Sequence, residues 1–206
     1  MTCLLAFGSY SAQAALKLEW AKRAGGAGFD VGNQIAVDSS GNAYVAGIVT
    51  DPATFGLGES SETTLTSNFL GAFVAKYSAS GDLIWVKPSG SPRGLAVDNS
   101  GSVYVMGNFT NTVTFGSGES SETTLTSDGG NDIFLAKYTA DGDLVWAKRA
   151  GGISFDVGSS LAVDGSGNAY LTGFFSSGIA TFGSGEANEV TLTGNDFSDG
   201  NLFVAK

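Results

Sequence analysis

QIAVDSSGNAYVAG (34–47) and FVAKYSASGDLIWVK (73–87), with a long polar stretch between them, form the unit whose reading decides the fold. It returns as GLAVDNSGSVYVMG (94–107) with IFLAKYTADGDLVWAK (133–148), and again as SLAVDGSGNAYLTG (160–173) with LFVAK (202–206). Working outward, Leu18-Glu19-Trp20-Ala21-Lys22-Arg23 repeats the pattern around Trp85 and Trp146, so the tryptophans stand 65 and 61 positions apart. A repeat of that length marks a solenoid, a propeller or an array, in which neighbouring units share one continuous core.

Each unit reads as four short strands, a to d. In the first, Ile35–Asp38 and Ala43–Ile48 are joined by Ser39-Ser40-Gly41-Asn42, where Gly41 suits the left-handed position of a short hairpin. Extended pieces at Ala53–Phe55 and Thr63–Thr66 flank GLGESSE. A third main strand, Phe73–Tyr77, then turns through Ser78–Asp82 into the Trp85 strand. Thirty-one Gly against three Pro supports an all-β chain rich in turns. The units differ in one place. Lys22 to Ile35 and Lys148 to Leu161 are both 13 apart, while Lys87 to Leu95 is 8, because the second unit lacks the GGxxFDVG segment and carries Pro88-Ser-Gly-Ser-Pro92-Arg93 instead. Gly25 to Asn33 reads as a loop.

Tandem four-stranded antiparallel meanders fit propeller blades better than a sandwich. The ordered motifs, a strand with D-x-S-G-N, then Y-V-x-G, F-V-A-K-Y and G-D-L-x-W, resemble the SBBP-type bacterial β-propeller repeat and, more distantly, the NHL repeat; kelch and WD-repeat signatures are absent. The resemblance covers 18–206. It implies an extracellular or envelope-associated bacterial module, often part of a larger protein, with no activity common to the family. The expected architecture is an all-β β-propeller of four-stranded antiparallel blades, about three of them present, as an incomplete ring or half of a larger one. Its parts are a leader (1–17), a d strand (18–24), unit one (34–87), unit two (94–148) and unit three (160–206), which lacks its d strand.

Propellers have four to eight blades, so three leave two apolar sides open. Leu202–Lys206 has no d partner and the Trp20 strand has no blade. These defects are complementary: the amino-terminal strand of one chain could complete the last blade of another, giving a head-to-tail homodimer. The alternative expectation is a fragment, with further repeats in a longer chain.

Composition narrows the function. A net charge of −10 argues against nucleic acid and against anionic membrane surfaces. The absence of His removes the usual general base and the commonest metal ligand. Cys3 alone forms neither an intrachain disulfide nor a Cys-based zinc site. Residues 1–17 resemble the end of a secretory signal, with Ala12-Gln13-Ala14 as the cleavage context but no positive charge before Lys17. A secreted, periplasmic or cell-surface location is expected, and no later apolar run approaches a membrane span.

In an up-and-down blade the d→a and b→c connections emerge on one side, so the irregular sequence is expected on a single rim, where function usually resides. The acids assigned there are Asp30, Asp51, Glu59, Glu62, Glu119, Glu122, Asp128, Asp132, Asp156, Glu186, Glu189, Asp196 and Asp199. With Arg93, and leaving out Asp51, they form the expected binding face for a protein or glycan ligand. FGLGESSETTLTS (55–67) and FGSGESSETTLTS (115–127) differ at one position; they are either repeated docking hairpins or a duplicated surface loop.

No cofactor is required, with calcium on rim carboxylates such as Asp128, Asp132, Asp196 and Asp199 as the alternative. The D-x-S-G-N turns at Asp38, Asp98 and Asp164 are too short to supply six oxygen ligands. Trp20, Trp85 and Trp146 recur at one place inside strands, which favours packing between blades over sugar stacking. Lys76, Lys137 and Lys206 recur likewise and are expected to pair with neighbouring acids. Without His or a usable Cys, the only realistic chemistry is glycoside cleavage by paired carboxylates. TADGDLVW (139–146) is similar to the Asp-box of sialidase propellers, but there a residue separates the Asp and Gly that adjoin here. The chain therefore reads as a non-catalytic binding module, with a carbohydrate-active enzyme and a structural spacer as alternatives.

Overall fold

The structure, a computed structural model, describes residues 17–50, 52–66, 71–176, 178–194 and 200–206. The described residues form seventeen strands and no helix. Unit one comprises β1 (Val31–Val37), β2 (Ala43–Val49), the short pair β3 (Ala53–Phe55) and β4 (Thr63–Leu65), then β5 (Gly71–Tyr77) and β6 (Leu83–Ser89). Unit two comprises β7 (Ser91–Val97), β8 (Val103–Phe109), β9 (Thr112–Phe115), β10 (Thr123–Thr126), β11 (Asp132–Tyr138) and β12 (Leu144–Gly151). Unit three has β13 (Asp156–Val163), β14 (Ala169–Phe175), β15 (Ile179–Phe182), β16 (Val190–Thr193) and β17 (Asn201–Ala205).

The main strands pair antiparallel in chain order, β1-β2-β5-β6 and β7-β8-β11-β12, with β13-β14-β17 in the third unit. These are propeller blades, two of four strands and one of three. Gly41, Gly101 and Gly167 take the left-handed conformation in the a–b turns, as the hairpin reading requires. Two expectations are corrected. The segment assigned as a d strand, 18–24, carries no strand pairing; the nearest ladder contact is the bridge from Gly25, just beyond it, to Thr54. No c strand precedes it among the described residues, so it lacks what β5 supplies to β6. The segment Gly25–Asn33 is not all loop either, because β1 begins at Val31. A register shift between Gly32 and Gln34 absorbs the extra residue and lets the a strand run on. The same shift recurs at Pro92/Gly94 and Gly158/Ser160.

The a strands of successive units lie beside one another, β1 next to β7 and β7 next to β13, which makes them the inner edge of the arc. Blades stack face to face. One core joins Tyr44, Val74 and Trp85 of unit one to Leu95, Val105, Phe134 and Leu144 of unit two. A second joins Met106 and Ile133 of unit two to Phe175 and Phe203 of unit three. Having a neighbour on each side, the middle blade buries both faces, and β8 is buried at all seven positions. That explains why VYVMGNF reads as a nearly continuous apolar run rather than an alternation.

Each b→c hairpin wedges into the junction with the preceding blade. Its phenylalanine packs on the c-strand phenylalanine of its own unit: Phe55 on Phe73, Phe115 on Phe134 and Phe182 on Phe203, with ring centroids 4.8–4.9 Å apart. The hairpin of unit three also extends the sheet of unit two, β15 pairing with the end of β12 to give the order β16-β15-β12-β11-β8-β7.

The opposite edge is closed by the tryptophans. Trp85 Nε1–H donates to the Ala140 carbonyl in the next unit's c–d turn at 3.1 Å, and Trp20 donates to Ala79 at 3.0 Å. Gly142 and Gly81 sit under those indoles with φ of +88°, and a Cβ there would lie 2.8 and 2.7 Å from the ring. Glycine is required both for the turn and for the approach. Trp85→Ala removes the packing and the hydrogen bond together, so it should destabilise the chain by roughly 3–5 kcal/mol. Urea unfolding followed by circular dichroism measures this; a loss below about 1 kcal/mol, the size of one hydrogen bond, would show that the junction does not depend on the ring.

Candidate functional site

Repeats reveal function where they disagree, because residues common to all units are accounted for by the shared architecture. The glutamates of the hairpins are common to all. Glu119 Oε1 takes Lys87 Nζ of the preceding d strand at 2.7 Å, and its Oε2 takes Leu144 N–H of its own d strand at 2.6 Å. Glu59 does the same with Lys22 and Leu83, and Glu186 pairs with Lys148. Burial opposes ionisation of Glu119, but the Lys87 and Leu144 hydrogen bonds outweigh it and hold the carboxyl below its ordinary range. Glu62, Glu122 and Glu189 accept Gly58, Gly118 and Gly185 N–H across the hairpin tips. Leu83 and Leu144 directly follow the c–d turns, so the hairpin tips reach the edge opposite the long loops. These six glutamates therefore lie away from the rim on which the sequence reading placed them. The excursion folds down along the blade because its carboxylates find d-strand partners there.

Asp30 and Asp156 do lie at the loop edge, where they tie the d→a loop. Asp30 accepts Gly26 and Thr50 N–H at 2.9 and 3.0 Å; Asp156, fully buried, accepts Gly152 and Ser176 N–H. Arg93 is the exposed bulge residue of β7, equivalent to Asn33 and Ser159. Asp51, Asp196 and Asp199 lie outside the described residues, as do residues 1–16 of the leader.

What does not repeat is a polar cluster on the loop edge between units two and three. Arg149 Nη1, near the end of β12, reaches Asp132 Oδ2 at 2.8 Å and also Asp128. Asn108, at the end of β8, donates Nδ2–H to the backbone carbonyls of Asp156 and Asp132 at 2.9 and 3.4 Å, joining the two blades. Asp132 is fully buried and Asn108 is 5% exposed, and one oxygen of each, Oδ1, has no hydrogen-bond partner. Burial pushes the Asp132 carboxyl up, against the pull of Arg149. Gly151 makes the cluster possible: a Cβ there would lie 2.9 Å from Asp132 Cγ and 2.9 Å from Asp156 Oδ2. At the junction of units one and two the equivalent positions hold Ile48, Gly71, Pro88 and Gly90, with no charge among them.

Around the cluster the d→a loop of unit three folds over the b→c loop of unit two, through Gly130 N–H to Ser154 O and Asp156 N–H to Asn131 O. Ile153 and Phe155 stand exposed beside the half-open Asp128. Asp128, Asp132 and Asp156 were expected on this edge. Asn108 was not, although a lone amide in the apolar strand VYVMGNF, where the other units have Ile48 and Phe174, is the signal that marks it. Among the described residues no three acidic side chains converge as a metal site, and Asp128 and Asp132 are both engaged with Arg149.

The a–b turn aspartates are occupied as well. Asp164 Oδ1 accepts Ser166 and Asn168 N–H, and its Oδ2 accepts Asn168 Nδ2–H and Tyr170 O–H. With the Asn168 side chain contributing most, these bonds pull Asp164 down to about 2. Asp38 and Asp98 are also lowered: burial opposes it, but the hydrogen bonds of their turns prevail. A depressed carboxyl contributes stability in full above its unfolded value of ~3.9 and loses it as pH falls through the folded value. The part of the thermal stability that these three aspartates carry should therefore be constant from pH 7 to about 4.5 and fall steeply towards pH 2. Asp164→Asn should shrink that fall; an equal fall in the variant would contradict the assignment. Lys76, Lys137 and Lys206 lie over Tyr44, Tyr104 and Tyr170 at 4.8–5.3 Å, and Lys137 also approaches Asp98 at 3.9 Å.

Comparison with known proteins agrees with this architecture. The family model described as SBBP, beta-propeller repeat, matches residues 19–47 and 145–173. Each match runs from a tryptophan segment through the GGxxFDVG segment to the end of a b strand, so the matched stretches straddle blade junctions. An uncharacterized WD repeat-containing protein of Acanthamoeba polyphaga mimivirus is 31% identical over 129 residues, 58% of this chain. The aligned region spans only 9% of that relative's length. The repeating sequence and the stacked antiparallel blades agree with the two segments that match the SBBP beta-propeller repeat.

Proposed function

We propose that this chain is a non-catalytic binding module, displayed outside the cytoplasm, that takes a protein or glycan ligand on its loop edge at the seam between units two and three. The observation that carries the reading is the non-repeating cluster of Asn108, Asp128, Asp132 and Arg149, flanked by exposed Ile153 and Phe155. An ion-paired acid beside exposed apolar side chains offers a ligand both a charged anchor and a desolvated contact. Binding rather than catalysis is favoured because a glycosidase needs one carboxylic acid and one carboxylate presented to the sugar on either side of the bond. Asp132, raised by burial, is fully enclosed, and Asp128 is held by Arg149.

Ligands selected on glycan arrays and peptide-display libraries with the wild-type chain provide the test. Asp128→Lys and Phe155→Ser should each weaken binding at least tenfold, about 1.4 kcal/mol, while Glu62→Gln at a hairpin tip should leave it unchanged. Binding that depends on the hairpin tip and ignores the seam would reject this face. Release of reducing sugar from a glycan panel would favour the enzymatic alternative.

A further inference from the structure

Where the junction of units one and two places Gly71 and Gly90, the next junction encloses two carboxyl groups, Asp132 of β11 and Asp156 of β13, both fully buried. They stand on either side of Gly151, with Asp132 Oδ1 3.0 Å and Asp156 Oδ2 2.9 Å from the point where a Cβ would lie. Asp156 accepts the neutral N–H groups of Gly152 and Ser176. Asp132 Oδ2 accepts Arg149 and Asp128 N–H, and Arg149 divides its charge between Asp132 and the half-open Asp128. Among the described residues, the charged groups that face Asp132 are thus Arg149 of β12, Asp128 of the preceding loop and Asp156 of β13, while β8 contributes the neutral Asn108. Asp128 and Asp132 share one guanidinium, and Asp156 adds a third carboxyl group beside them.

Two oxygens in this group have no hydrogen-bond partner, Asp132 Oδ1 and Asn108 Oδ1. The Asn108 amide is oriented by its Nδ2–H donors, which the carbonyls of Asp156 and Asp132 accept at 2.9 and 3.4 Å, so Oδ1 is left as an acceptor without a donor. An enclosed carboxylate oxygen in that condition is costly, and so is an enclosed amide oxygen. A metal ion does not meet the need, because Arg149 already takes Asp132 Oδ2 and no three acidic side chains converge there among the described residues. A proton needs no room. On Asp132 Oδ1 it removes the charge that Asp156 opposes and turns that oxygen into a donor, with Asn108 Oδ1 as the unfilled acceptor of the same group. Burial, with the charge of Asp156 added, holds the Asp132 carboxyl above its ordinary range against the pull of Arg149.

We infer that Asp132 is a proton-operated latch: protonated, it closes the seam between units two and three; ionised, it loosens the d→a loop of unit three. The proton comes from solvent and returns to it. Ionised Asp132 opposes Asp156, whose own N–H, bonded to Asn131 O, is one of the two bonds that fasten the loop to unit two; the other is Gly130 N–H to Ser154 O. That loop carries the exposed Ile153 and Phe155. The sign follows from the raised carboxyl. Its contribution to closure is complete below the unfolded value of ~3.9 and is lost as pH rises through the folded value, opposite to the turn aspartates. That the latch regulates ligand binding rests on the function proposed above, but the latch itself is tested without a ligand.

Carbon-detected NMR of the wild-type chain from about pH 4 to about pH 8 should show the Asp132 carboxyl titrating above the ordinary ~3.9. Over the same range, hydrogen exchange corrected for intrinsic rates should show the Gly152 and Asp156 N–H groups losing protection by at least about threefold, against a ceiling of about tenfold per pH unit for one proton. Gly26 N–H, bonded to Asp30 in the corresponding loop of unit one, should stay level. Asp132→Asn cannot ionise, so it should make exchange at Gly152 and Asp156 independent of pH. The titration needs no variant and decides the matter should Asp132→Asn fail to fold. A carboxyl that titrates in or below the ordinary range, as it would with a water donating to both oxygens, overturns the inference. So does protection at Gly152 and Asp156 that ignores pH in the wild type, or that still follows it in the variant.

Discussion

A propeller blade of four short strands has two apolar faces and no means of covering either by itself. Every other feature of this chain follows from that constraint. The middle blade shows the solution, with unit one against one face and unit three against the other, and β8 enclosed along its whole length. The junctions are made specific by polar fixings at their edges. A tryptophan and a lysine of one blade meet the turn carbonyl and the hairpin glutamate of the next, and that glutamate also holds its own blade's d strand through Leu144 N–H. A blade that slipped by one position would lose all of these bonds at once, leaving a glutamate and a lysine partly buried without partners.

The seam is also where variation becomes useful. Positions that form a junction between units one and two with Ile48, Gly71, Pro88 and Gly90 are recast between units two and three as Asn108, Asp132, Arg149 and Asp156. The lysine–glutamate pair at the far edge is retained there as Lys148 and Glu186, so the polar substitution does not have to hold the blades together alone. Asn108 nevertheless contributes, spanning from one blade to the backbone of the next. A fold that fixes one edge of each junction with repeated contacts leaves the other free to diverge, and the loop edge of a propeller can acquire a site in this way without loss of the ring geometry.

The strand order, the left-handed turn glycines and the packing role of the tryptophans were all legible from residues alone, because each is a local pattern repeated at fixed spacing. Gly142, for example, is needed by its turn and by Trp85. The hairpins were not legible. GESSE reads as a solvated loop, and the partners that fold it down, Lys87 and Leu144, lie 32 and 25 residues from Glu119. Segment 18–24 matches a strand in sequence, yet a strand is defined by its neighbour, and its neighbour is not among the described residues. The site was half legible: acids on loops announce themselves, whereas Asn108 acquires meaning only when aligned with Ile48 and Phe174 and seen to be buried with an oxygen unpaired.

The central claim is that adjacent blades are coupled through the lysine–glutamate fixing as well as through apolar packing. A double-mutant cycle on Lys87→Met and Glu119→Gln, read by equilibrium urea unfolding, measures that coupling without changing the surrounding core. The account predicts a favourable coupling of about 1 kcal/mol, at the upper end for a partly exposed pair because the glutamate is also held by a backbone N–H. Additive effects of the two substitutions would contradict it.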